Sequence, residues 1–73
     1  MVNSLSLILR RQLAPQLRQI RLERKLQINQ VASHCELSAG QIDLIELGQA
    51  ISLRKYLRLA GYYGKKIRLD LID

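Results

Sequence analysis

Seventy-three residues allow one domain with a small core, because a chain of this size buries only about 60% of the surface its unfolded form exposes. The single cysteine excludes an internal disulfide and any cysteine metal cluster, and no apolar run approaches the ~20 residues that a membrane span needs. The opening MVNSLSLIL lacks the basic start and cleavage pattern of a secretory signal, so the expected setting is reduced and cytoplasmic, with no membrane partner and no cofactor.

A net charge of +6, from twelve Lys and Arg against six Asp and Glu, points to an anionic partner, nucleic acid first. The charges are unevenly placed. Arg10, Arg11, Arg18, Arg21, Arg24 and Lys25 precede Leu26, and Arg54, Lys55, Arg58, Lys65, Lys66 and Arg68 follow Leu53. Residues 26–53 hold no Lys or Arg and carry Glu36, Asp43 and Glu46.

In chain order, the first helical pattern is Leu13, Leu17 and Ile20 with the stem of Arg24. Pro15 suits a first turn and disfavours helix at Ala14. A helix is therefore expected over residues 15–25, with residues 1–12 as an N-terminal arm or a kinked helix extension. A second helix over Ile28–Cys35 turns Val31, Ala32 and Cys35 inward. A third runs from Ala39 to Glu46 or Leu47. Ser38 caps it, Gln41 completes the S-x-x-Q box, and Gly48 stops it in the left-handed region. A fourth opens on a Ser52 cap and ends at Gly64, with Leu53, Tyr56, Leu57, Ala60 and Tyr63 as its inner stripe.

After Gly64 the period changes to two. Ile67, Leu69 and Leu71 alternate with Arg68, Asp70 and Ile72, which is strand-like. A lone strand has unpaired edges and does not stand alone in water. Residues 65–73 are therefore expected to pair with a second copy. Antiparallel pairing about Leu69 would set Arg68 opposite Asp70 of the other chain.

Residues 27–48 read as two short helices joined by a tight turn, with small Ala32 where they cross. That is the sequence form of a helix-turn-helix, whose second helix ordinarily lies in the DNA major groove. With Ile42 and Ile45 inward, steps of about 100° per residue turn Gly40, Asp43, Leu44 and Leu47 outward. Gln41, at the edge of that face, has a bidentate amide of the kind that pairs with adenine. Ala39 and Leu44 suit thymine methyl groups, and Asp43 can accept from cytosine N4. The candidate base contacts are thus Ala39, Gly40, Gln41, Asp43 and Leu44. Candidate phosphate contacts are Arg54 and Lys55 at the opening of the fourth helix, Arg18, and the cap at Ser38. Each single cation is as readily a solvated surface charge, and it is the total that favours a polyanion. His34 beside Cys35 has no second ligand pair in view and reads as an exposed polar residue next to a core cysteine.

The stretch LRQIRLERKLQINQVASHCELSAGQIDLIELGQAISLRKYLRLAGYYG resembles the Xre/Cro family of lambda-repressor-like helix-turn-helix domains. Arg21 and Glu46 stand where that family keeps a buried Arg–Glu pair, Gly48 completes its E-x-G, and Ala60 and Gly64 sit where its last helix has them. The resemblance implies an all-α domain of four to five helices over residues 13–64. The short strand after Gly64 makes the chain most similar to HipB-type antitoxins, in which that strand joins two subunits and the partner is a HipA-type kinase toxin. It therefore implies a bacterial, nucleoid-associated homodimer, paired through Ile67, Arg68, Leu69, Asp70 and Leu71, on a palindromic operator in double-stranded DNA. The chain departs from the pattern where helix two opens on Gln27 and Ile28, so the phosphate-bonding glutamine of the family is either absent or shifted by one residue, with Gln27 as the candidate. Ile51 replaces a proline before helix four, and the reading face is acidic and leucine-bearing.

Two functions compete on these grounds. One is an operator-binding repressor, the autoregulating antitoxin of a HipBA-like operon. The other is a protein-interaction module on the same fold, binding a toxin or regulator with weak DNA binding. Catalysis is not expected, because no nucleophile–base pair, phosphate-cradling loop or metal cluster stands out. A membrane-surface role would rest on residues 5–11 alone.

Overall fold

The computed structural model describes residues 4–67 as four helices, α1 (Ser4–Glu23), α2 (Ile28–Cys35), α3 (Ala39–Glu46) and α4 (Leu53–Tyr62). No strand occurs among the described residues. Of the expected pairing strand only Ile67 is described, packed against the core. Arg68, Leu69, Asp70 and Leu71 lie outside the described residues.

Of the two expectations for the residues before Pro15, arm or helix extension, the first helix shows the extension. It begins at Ser4, runs through Pro15 and ends at Glu23 rather than Lys25. An interior proline loses a helix hydrogen bond and crowds the preceding turn, at about 3 kcal/mol. Tertiary contacts offset that cost on both sides of the ring. Ala14 and Leu17 are buried, while Leu13 and Ile20 pack half-buried against the core. Arg10 Nη1 donates to the Ala50 carbonyl at 3.2 Å. Gly48 lies against the same stretch, so close that a Cβ there would stand 3.5 Å from the Ala14 Cβ and 3.6 Å from the Arg10 carbonyl oxygen. The turn after α3 thus clamps the residues before Pro15 in a helical course.

All four helices close in the same way, with an N–H two or three residues past the helix end reaching back to a carbonyl five residues earlier. Leu26 donates to Arg21 at 3.1 Å, Leu37 to Ala32 at 2.9 Å, Gln49 to Leu44 at 2.8 Å and Lys65 to Ala60 at 2.9 Å. Each closure needs one left-handed residue. Gly48 and Gly64 supply it at φ 76° and 73°, but Lys25 and Glu36 both hold φ 57° with side chains attached. Those two positions carry a strain of roughly 1–2 kcal/mol each.

The core joins Leu17 of α1, Val31, Ala32 and Cys35 of α2, Ile42 and Ile45 of α3, and Tyr56, Leu59, Ala60 and Tyr63 at α4. Leu59 replaces Leu57 in the expected α4 stripe, and Leu57 is exposed. The reason is geometric: Tyr56, Leu59, Ala60 and Tyr63 share one face at three- and four-residue spacing, and Leu57 lies about 100° round from Tyr56. Ser52 occupies the N-cap of α4, yet its side chain makes no cap bond. The Lys55 N–H instead donates to the Ser52 carbonyl at 3.2 Å.

Candidate nucleic-acid interface

One side chain fixes the placement of α3. Arg21 Nε donates to Glu46 Oε2 at 2.6 Å and Nη2 to Oε1 at 3.0 Å, while Nη1 donates to the Leu26 carbonyl at 3.0 Å. The two side chains are 11% and 4% exposed. This fork joins α1, the turn after it and α3, in the bidentate geometry that only a planar guanidinium provides. The hydrogen bond to Glu46 raises the Arg21 pKa above the ordinary guanidinium value against the opposing effect of burial.

The opening of α3 is fixed locally. Ser38 Oγ accepts from the Gln41 N–H at 3.1 Å, and Gln41 Oε1 accepts from the Ser38 N–H at 2.9 Å. Two of the free donors at the helix start are thereby satisfied. At α2, Gln30 Oε1 accepts from the Gln27 N–H at 2.9 Å in a related way.

On the outward side of α3, Gly40, Asp43, Leu44 and Leu47 are exposed, and Ala39 and Gln41 are half-buried. Two shallow grooves flank this face. One, toward the start of α2, is lined by Arg21, Gln27, Asn29, Ala39, Gly40 and Asp43. The other, toward the start of α4, is lined by Gln41, Leu44, Gln49, Ile51, Ser52 and Lys55. The five base-contact candidates therefore lie along two edges of one helix, with Gln27 beside one edge and Lys55 beside the other. Ser38 is exposed at the helix start. Arg18 on α1 and Arg54 on α4 are exposed but line neither groove.

The two grooves differ in charge. Glu46 neutralises Arg21 in the first, leaving Asp43 to set its sign. Lys55 supplies a cation to the second.

Sequence reasoning missed Arg10 as a structural residue, and for Arg24 it expected only the stem on the inner face. The Ala50 carbonyl accepts both Arg10 Nη1 at 3.2 Å and the Tyr56 hydroxyl at 2.8 Å, so the turn after α3 is fastened from two sides. Arg24 Nη2 donates to the Tyr63 carbonyl at 2.9 Å, with its guanidinium 5.4 Å from the Tyr63 ring centroid. The signal was present, since Arg10, Ala14, Leu17, Arg21 and Arg24 recur at helical spacing.

Cys35 is buried, and burial pushes its thiol up from the ordinary value. His34 is exposed, with its ring 5.6 Å from that of Tyr62. Among the described residues, no three His, Cys, Asp or Glu side chains gather to hold a metal, and no helix is long and apolar enough to cross a membrane.

A family model described as a helix-turn-helix domain matches residues 12–66. No curated protein and no solved structure matches the chain.

Proposed function

The chain belongs to the helix-turn-helix domain family, and from that premise we propose that it is a sequence-specific transcriptional repressor of the Xre/Cro kind. The observation that carries this reading is the exposed face of α3, whose two edges gather the base-contact candidates between Gln27 and Lys55. In the proposal α3 enters the major groove with Ala39, Gly40, Gln41, Asp43 and Leu44 toward base edges. Arg18, Gln27, Ser38, Arg54 and Lys55 hold phosphates and set the register. Two copies joined through residues 67–71 present two such helices about 34 Å apart to a palindrome.

The likeness to HipB-type antitoxins extends the reading. The dimer is then a non-enzymatic antitoxin, bound at its own promoter in the bacterial nucleoid, that also restrains a HipA-type kinase toxin. Footprinting on the DNA upstream of its own coding region tests this. Two protected half-sites, one helical turn apart or a multiple of that, are expected. Absent or uniform protection would remove the repressor.

A second reading is favoured by one observation. Leu44, Leu47 and Ile51 are 43%, 59% and 82% exposed in a stretch that holds no Lys or Arg. On that reading a protein partner covers this ridge, and DNA binding is weak. The Arg54→Glu variant separates the two: it should lose operator binding while leaving binding to a protein partner nearly intact.

A further inference from the structure

We propose that Gln41 reads a keto oxygen in the major groove, guanine O6 or thymine O4, and does not read adenine. The inference rests on the DNA-binding reading above and specifies what one of its side chains recognises. Taken alone, a glutamine carboxamide matches adenine, accepting from N6 and donating to N7. In the folded chain its two ends are not equivalent. Oε1 already accepts the Ser38 N–H at 2.9 Å, while the Gln41 N–H is held by Ser38 Oγ at 3.1 Å. The first of these bonds holds the carboxamide against the start of α3. Nε2, with both of its N–H groups, has no hydrogen-bond partner among the described residues.

An amide oxygen has two lone pairs and one of them is taken by the backbone N–H, so what is wholly free to meet a base is the pair of Nε2 donors. Guanine presents acceptors at O6 and N7, and thymine one at O4, whereas adenine presents its N6 donor beside N7. Adenine N7 takes only one of the two donors and its N6 donor is left the one remaining lone pair of an oxygen held to the Ser38 N–H, whereas guanine takes both donors at O6 and N7. Leu44 lies three residues on and lines the same groove, so an apolar surface stands next to the donor, as a thymine O4 and its neighbouring methyl require. Asp43, an acceptor only, lines the opposite groove. The two edges of α3 thus present opposite hydrogen-bonding character, donor on one side and acceptor on the other.

The test is selection of bound sites from a randomised duplex library with the full chain, its Gln41→Glu variant and its Gln41→Ala variant. Glutamate also closes an N-terminal box, so Gln41→Glu keeps the helix opening, turns the Nε2 donor into an acceptor and adds one negative charge that weakens binding to all sequences alike. With the unsubstituted chain, one position in each half-site should favour guanine or thymine over adenine by roughly tenfold, within the range for base discrimination by one side chain. The same position should change to adenine or cytosine with Gln41→Glu and lose its preference with Gln41→Ala. Replacing thymine by deoxyuridine there separates the two keto bases, because only a thymine reader loses the methyl contact with Leu44. Adenine at that position with the unsubstituted chain overturns the inference and leaves the repressor standing. So does an unchanged base preference at that position with Gln41→Glu. A library from which no motif is enriched overturns both.

Discussion

Replacing Arg21 with methionine removes the hydrogen bonds that join α1, the following turn and α3. It leaves Glu46, 4% exposed, without a counter-charge. Breaking a buried pair by removing one partner costs about 3–5 kcal/mol, and the orphaned Leu26 carbonyl adds about 1 kcal/mol. A domain of this length has a total stability of roughly 4–11 kcal/mol, so Arg21→Met should lose about half of it or more. Glu46→Leu, which strands the guanidinium instead, should fall to a similar level. The double variant carries no buried charge and should recover most of the loss, because replacing both partners with apolar residues of similar volume is often neutral. Urea unfolding followed by far-ultraviolet circular dichroism measures this. At slopes of about 1–2 kcal/mol/M, the single variants should lower the midpoint by about 2 M or more. Losses below about 1 kcal/mol, or a double variant that loses the sum of the two singles, would refute the reasoning.

Pro15→Ala should stabilise the domain by about 1–3 kcal/mol by restoring a hydrogen bond inside α1, and an unchanged or lower Tm would count against that. Lys25→Gly and Glu36→Gly should each add about 0.5–1 kcal/mol by relieving a left-handed residue that bears a side chain. No gain in either would show that these turns are unstrained. Among the described residues the buried Tyr63 hydroxyl has no hydrogen-bond partner, so Tyr63→Phe should cost nothing and add up to about 1 kcal/mol in urea unfolding. Burial also pushes the Tyr63 phenol from 10.0 up to about 12. The folded chain therefore holds it neutral while the unfolded chain ionises first, and stability falls as pH rises from 10 to about 12. Tyr63→Phe should flatten that fall, and an identical pH profile would contradict it.

The sequence displayed the helix-turn-helix most plainly where two local signals agreed. Ala39–Glu46 was bounded by a Ser38–Gln41 box and a glycine stop, and the structure gives those bounds. It failed where a distant contact overrode a local rule. Pro15 alone argues for a helix start, but Arg10 on Ala50 and Gly48 against Ala14 hold the helix through it. The closures at Lys25 and Glu36 were hidden because left-handed turns are announced by glycine, and these two carry none. At the interface, the capping box and the base-reading amide were both legible in Gln41. That they occupy the same carboxamide became visible only with the Ser38–Gln41 bonds.

The most direct test of a sequence-reading α3 is a fluorescence-anisotropy titration of the chain against its own upstream DNA and a scrambled duplex, at two salt concentrations. A repressor predicts tight binding to the upstream DNA alone, with the preference over the scrambled duplex persisting as salt rises. Equal binding to both duplexes, weakening together with salt, would mean that the cations hold phosphate while α3 reads nothing, and would contradict the account.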